Sequence, residues 1–187
     1  MNLFFIILIL LISGCDMFNT DKKEPEPEVK QYFRAEVNGE SWSGVPRAVL
    51  SNLGDLPWFS LYAIGYDSTK WPYSEDIGFS IHFNSEESEY NVIREPEENG
   101  RTSGAYFVES DGDATIARYE PIPDSINTLI IHLEKMGNEK ELVTGTFSMK
   151  VAIDPRYDNE YTNGYRQQPD TVRITNGEFR VLLEEQE

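Results

Sequence analysis

Two histidines, one cysteine and 33 acidic residues are the stock from which any reaction centre of this 187-residue chain would be built. A pair of imidazoles can share a transition metal with a carboxylate. His82 stands between Ile81 and Phe83, however, and His132 between Ile131 and Leu133, both at outward positions of alternating stretches. Two separate exposed histidines are expected, and no metal site. Carboxylates gather at Ser110-Asp111-Gly112-Asp113 and again at Asp154, Asp158, Asn159 and Glu160. Such oxygen-rich turns suit calcium, but neither has the alternating ligands and distant bidentate Glu of an EF-hand loop, and Asp-Gly is first of all a turn dipeptide. No cofactor is expected, calcium being the one ion these turns would suit. A GxSxG elbow, a Cys-His pair, HExxH and a glycine-rich phosphate loop are all missing from the sequence. A carboxylate pair of the glycosidase kind is inevitable among so many acids and argues for nothing. The chain is not read as an enzyme.

Recognition chemistry is better represented. Residues 154–170, DPRYDNEYTNGYRQQPD, lack regular alternation and carry Arg156, Tyr157, Tyr161, Tyr165 and Arg166. Long connections in compact domains tend to be functional or disordered, and Tyr and Arg dominate contact surfaces because each buries a large area and keeps a polar handle. The alternative is a connecting loop kept soluble by Asp, Asn and Gln. Trp71-Pro72-Tyr73 forms a second aromatic tip, either a recognition element or a plug for one end of the domain. Trp42 and Trp58 belong to strand patterns and are assigned to the core.

Cys15 carries different chemistry. Leu3 to Ile12 are consecutive apolar residues, the length of a secretory h-region and short of the roughly 20 that cross a bilayer. Ile12-Ser13-Gly14-Cys15 follows, an aliphatic-small-small-Cys pattern of the bacterial lipobox, in which the thiol takes a diacylglyceryl group and becomes the new N-terminus. No Lys or Arg precedes the apolar run, which departs from the usual n-region. As the only cysteine, Cys15 leaves no intramolecular disulfide to stabilise the domain.

Residues 15–187 hold every charge and a formal net charge of −17. A phosphate backbone needs a basic patch, so nucleic acid is not an expected partner. The densest stretch, Glu86, Glu87, Glu89, Glu95, Glu97 and Glu98 relieved by Arg94, reads as a solvated acidic surface. Residues 16–30, DMFNTDKKEPEPEVK, read as an extended tether, which at about 3 Å per residue reaches roughly 45 Å. Lys22-Lys23-Glu24 resembles the charged sorting signals of surface lipoproteins in Bacteroidetes-type bacteria, a plain charged linker being the other reading.

From residue 31 onwards one domain is expected, without an internal repeat. Period-2 alternation dominates: Ile77, Phe79, Ile81 and Phe83 share a face, as do Val143, Gly145, Phe147, Met149 and Val151, and Phe179, Val181 and Leu183. Further strands are expected at 32–37, 47–51, 58–65, 90–94, 105–109, 114–119, 129–134 and 172–175. Asn176-Gly177 reads as a two-residue hairpin turn setting Ile174 opposite Phe179 and Val172 opposite Val181, with all four on one face. Asn38-Gly39 reads the same way, leading to a strand that carries Trp42.

The two ends also carry a resemblance. Phe33-Arg34-Ala35-Glu36-Val37-Asn38-Gly39-Glu40-Ser41-Trp42 is similar to the opening F-x-A-x-V-N-G-x-x-W of a group of uncharacterised Bacteroidetes-type lipoproteins with a β-sandwich-like domain of unknown function. Thr144-Gly145-Thr146-Phe147-Ser148 and Ile174-Thr175-Asn176-Gly177-Glu178-Phe179 are similar to its x-G-T-F-x and I-T-N-G-x-F blocks. The resemblance implies a β-sandwich-like fold and no activity.

The sequence therefore predicts a signal peptide (1–14), a lipidated Cys15 with a flexible linker (15–30) and an all-β domain (31–187). That domain is expected to be an antiparallel β-sandwich of about ten short strands, an open barrel being the alternative. The expected protein is held in a bacterial envelope by N-terminal acyl chains such as palmitate, in the outer membrane facing periplasm or cell surface. Its expected role is to bind a protein or glycan or to act as an accessory; a structural component without a ligand and an acidic-site hydrolase are the alternatives. If Cys15 is the anchor, Cys15→Ser moves the protein from the detergent phase to the aqueous phase, because several acyl chains are needed for stable attachment and none would remain. Unchanged partitioning contradicts the assignment.

Overall fold

Alternating apolar residues cannot be buried by one strand alone, and here they are buried by a continuous ladder of pairings. The computed structural model describes residues 29–51, 57–66, 72–92, 95–96, 102–123, 125, 127–136 and 140–186. The expected signal peptide, Cys15, most of the tether, Trp71, Arg94, Glu97 and Glu98 lie outside them. The strands are β1 (Tyr32–Val37), β2 (Glu40–Ser51), β3 (Trp58–Tyr66), β4 (Tyr73–His82), β5 (Glu89–Asn91), β6 (Glu95–Pro96), β7 (Thr102–Asp111), β8 (Ala114–Pro121), β9 (Thr128–Lys135), β10 (Glu141–Ile153) and β11 (Thr171–Gln186). A single helical turn, α1 (Glu160–Asn163), interrupts the connection between β10 and β11. The domain is all-β, as its alternation predicts. Among the described residues no helix is long and apolar enough to cross a membrane.

The sheet runs β1-β11-β2-β3-β4-β7-β8-β10-β9-β5, with β6 paired to β7. Its pairings are antiparallel except one: the end of β11, from Leu183 to Gln186, lies parallel to Ala48 to Ser51 of β2. The sheet is thus mixed where a purely antiparallel one is expected, and β2, β10 and β11 are longer than the short strands expected. Because β11 also pairs with β10, the path β2-β3-β4-β7-β8-β10-β11 returns to β2. The central strands are paired on both sides, which protects their backbone polar groups and leaves few open edges.

Inside lies an aromatic cluster. Phe147 is its hub, with ring centroids 4.8 Å from Phe33, 5.1 Å from Phe79 and 6.4 Å from Phe179. Ile77, Leu61, Val143, Val151, Val172, Ile174 and Val181 complete the buried face. Trp42 packs edge-on to Phe33 at 5.8 Å, and Trp58 is buried as assigned.

The two Asn-Gly pairs part company. Asn38 and Gly39 both have positive φ (52° and 87°) and join Val37 to Glu40, the type I′ hairpin that the dipeptide favours. Asn176-Gly177 is no turn, contrary to the expected hairpin: β11 continues straight through it. Asn176 has φ 52°, while Gly177 takes no positive φ. Between Phe147↔Gly177 and Met149↔Ile174, β11 spends one more residue than β10, and the same residue is extra against β1 between Arg34 and Glu36. This is a β-bulge. An odd separation of Ile174 and Phe179 would split them across the sheet, but the extra residue restores the phase and both are buried. The partners also change, since Val172 faces Val151 and Val181 faces Val143. Gly177 is required for space, as a Cβ there would lie 2.6 Å from the Phe147 ring.

Gly145 is tighter still: a Cβ would sit 1.8 Å from the carbonyl oxygen of Ile130 and 2.5 Å from the Phe179 ring. Gly145→Ala therefore has to move backbone and is expected to cost about 3 kcal/mol. Gly39→Ala meets open space and bears only the positive φ, about 1 kcal/mol. Urea midpoints measure both, and an unchanged Gly145→Ala would contradict the close approach of β9 to β10.

Candidate functional site

At one end of the sheet the inward positions change character. β4 reads Ile81, Phe79, Ile77 and then Glu75 and Tyr73; β7 reads Ala105, Phe107 and then Glu109; on β8, Tyr119 lies opposite Phe107 and reaches Glu109 with its hydroxyl. The strand period that buries the apolar residues thus delivers two carboxylates and two phenols to the same end of the domain. Glu109 has no exposed surface at all. A buried carboxylate must be supplied with donors, and Glu109 is. Its Oε1 accepts from the Tyr119 hydroxyl (2.6 Å); its Oε2 accepts from the Tyr73 hydroxyl (2.7 Å) and the Gln167 N–H (2.6 Å). The Gln168 N–H reaches both oxygens at 3.3 Å.

A chain of hydrogen bonds runs outward from there. The Tyr73 oxygen stands 3.1 Å from Glu75 Oε1, which also accepts from Gln168 Nε2 (2.8 Å). Gln168 Oε1 accepts from Asn38 Nδ2 (2.8 Å), and Asn38 Oδ1 accepts from the Arg173 N–H (2.9 Å). One network therefore joins the β1–β2 turn, β4, β7, β8 and the segment 154–170. Burial first, then the negative charges and hydrogen bonds of Glu75 and Glu109, pushes the Tyr73 phenol up. Burial and then Glu109 do the same to Tyr119, against the opposing charge of Arg166. Both phenols remain protonated donors at ordinary pH.

The segment 154–170 is clamped by its own contacts as well. The Asp154 carboxylate is buried and accepts from the Arg156 N–H (2.9 Å) and Nε (3.0 Å), and it pairs with Arg156 Nη2. Asn159 caps α1, its Oδ1 accepting from the Thr162 N–H (3.1 Å) while the Asn159 N–H donates to Thr162 Oγ1 (3.3 Å).

Two clefts flank this segment. The first, about 370 Å³, is lined by Glu40, Trp42, Tyr66, Tyr73, Glu75 and Gln168 among others. The second, about 330 Å³, is lined by Pro72, Tyr73, Asp111, Ile116, Gly164, Tyr165 and Gln167. Tyr73 is the wall between them.

The residues singled out from sequence divide accordingly. Tyr73 is buried and structural on one side, cleft-lining on two others. Tyr165 is 54 % exposed at the second cleft. Arg156 keeps an exposed stem, but its guanidinium is bound to Asp154, with Glu120 at 3.8 Å. Arg166 is covered, its side chain only 11 % exposed, with Nη2 on Asp170 Oδ1 (2.5 Å) and a buried Nη1 that finds no hydrogen-bond partner among the described residues. Tyr157 is half-buried, and its carbonyl accepts from the Thr162 hydroxyl. The Tyr161 side chain and Trp71 lie outside the described residues. Asp111, Gly112 and Asp113 form the exposed β7–β8 turn, and Asp158 accepts from Asn163 Nδ2 (3.2 Å). Among the described residues no three His, Cys, Asp or Glu side chains are placed to hold a metal ion. His82 packs edge-on to Trp58 at 4.8 Å, and β4 and β9, which carry His82 and His132, are not neighbours in the sheet.

Glu40, Glu75, Glu109 and Tyr66 escape the sequence reading, and Gln168 enters it only as part of the segment 154–170, although Glu75 and Glu109 were detectable. Each is a charge in phase with buried residues of its strand, and a charge in that phase demands donors.

On the outward face Asp76 lies between Ile64 and Val108, with a buried Oδ1 that has no hydrogen-bond partner among the described residues. Nearby, the Tyr106 ring covers Gly78, and the Arg118 guanidinium lies 5.1 Å above that ring.

No protein-family model matches the chain, and neither a curated protein nor a solved structure does.

Two outcomes follow from these geometries. Glu109→Gln replaces one carboxylate oxygen with an amide donor that faces a backbone N–H able only to donate and a phenol that must turn to accept, so it is expected to lose about 2–4 kcal/mol of stability in denaturant unfolding; a neutral substitution contradicts the network. For Asp76, burial pushes the carboxyl up to about 6. The folded state then binds more protons than the unfolded chain between about pH 4 and pH 6, and stability falls as pH rises through that window. Asp76→Asn should flatten this slope and gain on the order of 1 kcal/mol at pH 7, after allowance for solvent screening. A slope unaltered by the substitution would remove Asp76 as its source.

Proposed function

We propose that this chain is a lipid-anchored protein of a bacterial envelope whose domain is a binding module, and that the end of the sheet built around Tyr73 is its contact surface. The anchor rests on the aliphatic-small-small-Cys pattern at Cys15, the tether on the Glu-Pro alternation before residue 31. One observation carries the binding reading. The segment 154–170 is held by Glu109, so that Tyr66 and Tyr165, both more than half exposed, frame two concave sites on either side of it. Concavity with aromatic walls and a few placed polar groups is the usual form of a ligand site.

An acidic-site hydrolase is the second reading, favoured by the meeting of Glu75 and Glu109 at the Tyr73 hydroxyl. Against it, both oxygens of Glu109 are already occupied by donors, so that carboxylate has no lone proton or charge to offer a substrate. Glu109 serves the fold instead.

The test is a glycan array together with capture from envelope extract, repeated with Tyr66→Ala and Tyr165→Ala. A ligand retained by the wild-type protein and bound roughly tenfold more weakly by one of these variants, at unchanged melting temperature, supports the contact surface. Binding indifferent to both places the surface elsewhere, and release of reducing ends from a bound glycan, lost in Glu75→Gln, turns the reading to the hydrolase.

A further inference from the structure

Resting on the binding-module reading, we infer that the first cleft takes an organic cation, an alkylammonium or guanidinium group, held between aromatic rings and carboxylates. Trp42, Tyr66 and Tyr73 bring three rings to one cleft, together with Glu40, Glu75 and Gln168, and among the described residues no Lys, Arg or His lines it. What these groups have already spent decides the ligand. The Gln168 amide is used at both ends, on Glu75 and Asn38, and the Tyr73 hydroxyl on Glu109 and Glu75. Among the described residues Glu75 Oε2 has no hydrogen-bond partner, and neither has the exposed Glu40 side chain. The charge left for a ligand is therefore negative, on carboxylates that can only accept, and aromatic rings carry a negative face that attracts cations.

A neutral sugar could pair its hydroxyls with the carboxylates and with Ser41 and Ser43, but it would leave the negative charge uncompensated. An anion would be repelled. A cation gains from the rings and the carboxylates at once, and the chain's net charge of −17 raises its local concentration. The rings also give selectivity by shape: a cation with apolar surface, such as an alkylated ammonium or a guanidinium plane, covers them better than a hydrated metal ion does. Tyr66 supplies the outer wall, being 62 % exposed. Trp42 is anchored from behind by Phe33 and by the close approach of Gly65, whose Cβ position lies 2.8 Å from the indole. That ring is fixed before any ligand arrives, which lowers the ordering cost of binding.

The experiment is a tryptophan-fluorescence titration of the detergent-solubilised full chain with tetramethylammonium and with arginine amide. A peptide containing Lys and Arg, its acetyl-lysine and citrulline counterpart, and neutral chitotriose follow. Saturable binding of the cations is expected, weakened by salt and reduced roughly threefold to tenfold by Tyr66→Ala or Glu40→Gln at unchanged melting temperature. If the basic peptide binds tighter than arginine amide and its neutral counterpart does not bind, the cation belongs to a partner protein; if the small cations bind as well as the peptide, it belongs to a small molecule. Both results support the inference. Cation titrations without saturation, or saturation indifferent to both variants, overturn it. Chitotriose binding in their place overturns it while leaving the binding-module reading standing, and the absence of any binding here and on the glycan array removes both.

Discussion

A carboxylate with no exposed surface is tolerable only where donors surround it, and the requirements of Glu109 organise the whole end of this domain. Two phenols from β4 and β8 and two consecutive amides from the connection between β10 and β11 converge on it. Apart from Gln167 and Gln168, these groups are far apart in sequence. Glu109 therefore fixes residues 167 and 168 of that connection as a wall, beside the clamps at Asp154 and Asn159. Gln167 and Gln168 meet it with their backbone, which leaves the Gln168 side chain to reach Glu75 and Asn38. The first cleft is shaped by that side chain, so its geometry is a consequence of satisfying one buried charge.

The rest of the architecture serves the same end by closing the path of pairings. The long β11 makes closure possible, because it pairs with β10 from Thr171 to Leu182, with β1 from Ile174 to Arg180, and with β2 at its end. A strand that contacts three neighbours must twist, and the bulge at Asn176 supplies the local twist. It also keeps Ile174 and Phe179 on the side of Phe147, the ring around which Phe33, Phe79 and Phe179 gather. The core and the bulge thus depend on one another, through the space that Gly177 leaves for Phe147.

Much of this was legible in the residues. Alternation alone located β1 at residues 32–37 and the inward faces of β4 and β10, and Asn38-Gly39 turns as its chemistry demands. Asn176-Gly177 has the same local chemistry and a different outcome, because hairpin and bulge both accept Asn at positive φ and both put Ile174 and Phe179 on one face. Only the neighbouring strands decide between them, and no short-range pattern contains β1 and β10. The segment 154–170 was recognisable as unusual, but its arginines point to internal partners, Arg156 to Asp154 and Arg166 to Asp170. Enrichment in Arg marks a network as readily as a contact surface. The cleft itself is assembled from Glu40, Tyr66, Glu75 and Gln168 on four separate elements, a juxtaposition that follows from sheet order.

The central claim is that Glu109 holds residues 167 and 168 in place. Amide hydrogen exchange at those two positions measures it most directly, since neither belongs to a strand ladder and ordinary loop amides exchange without protection. Slow exchange at Gln167 and Gln168 in the wild-type protein, accelerated selectively in Glu109→Gln while the amides of β10 keep their protection, is the predicted result. Exchange at the rate of an unstructured peptide in the wild-type protein would contradict it.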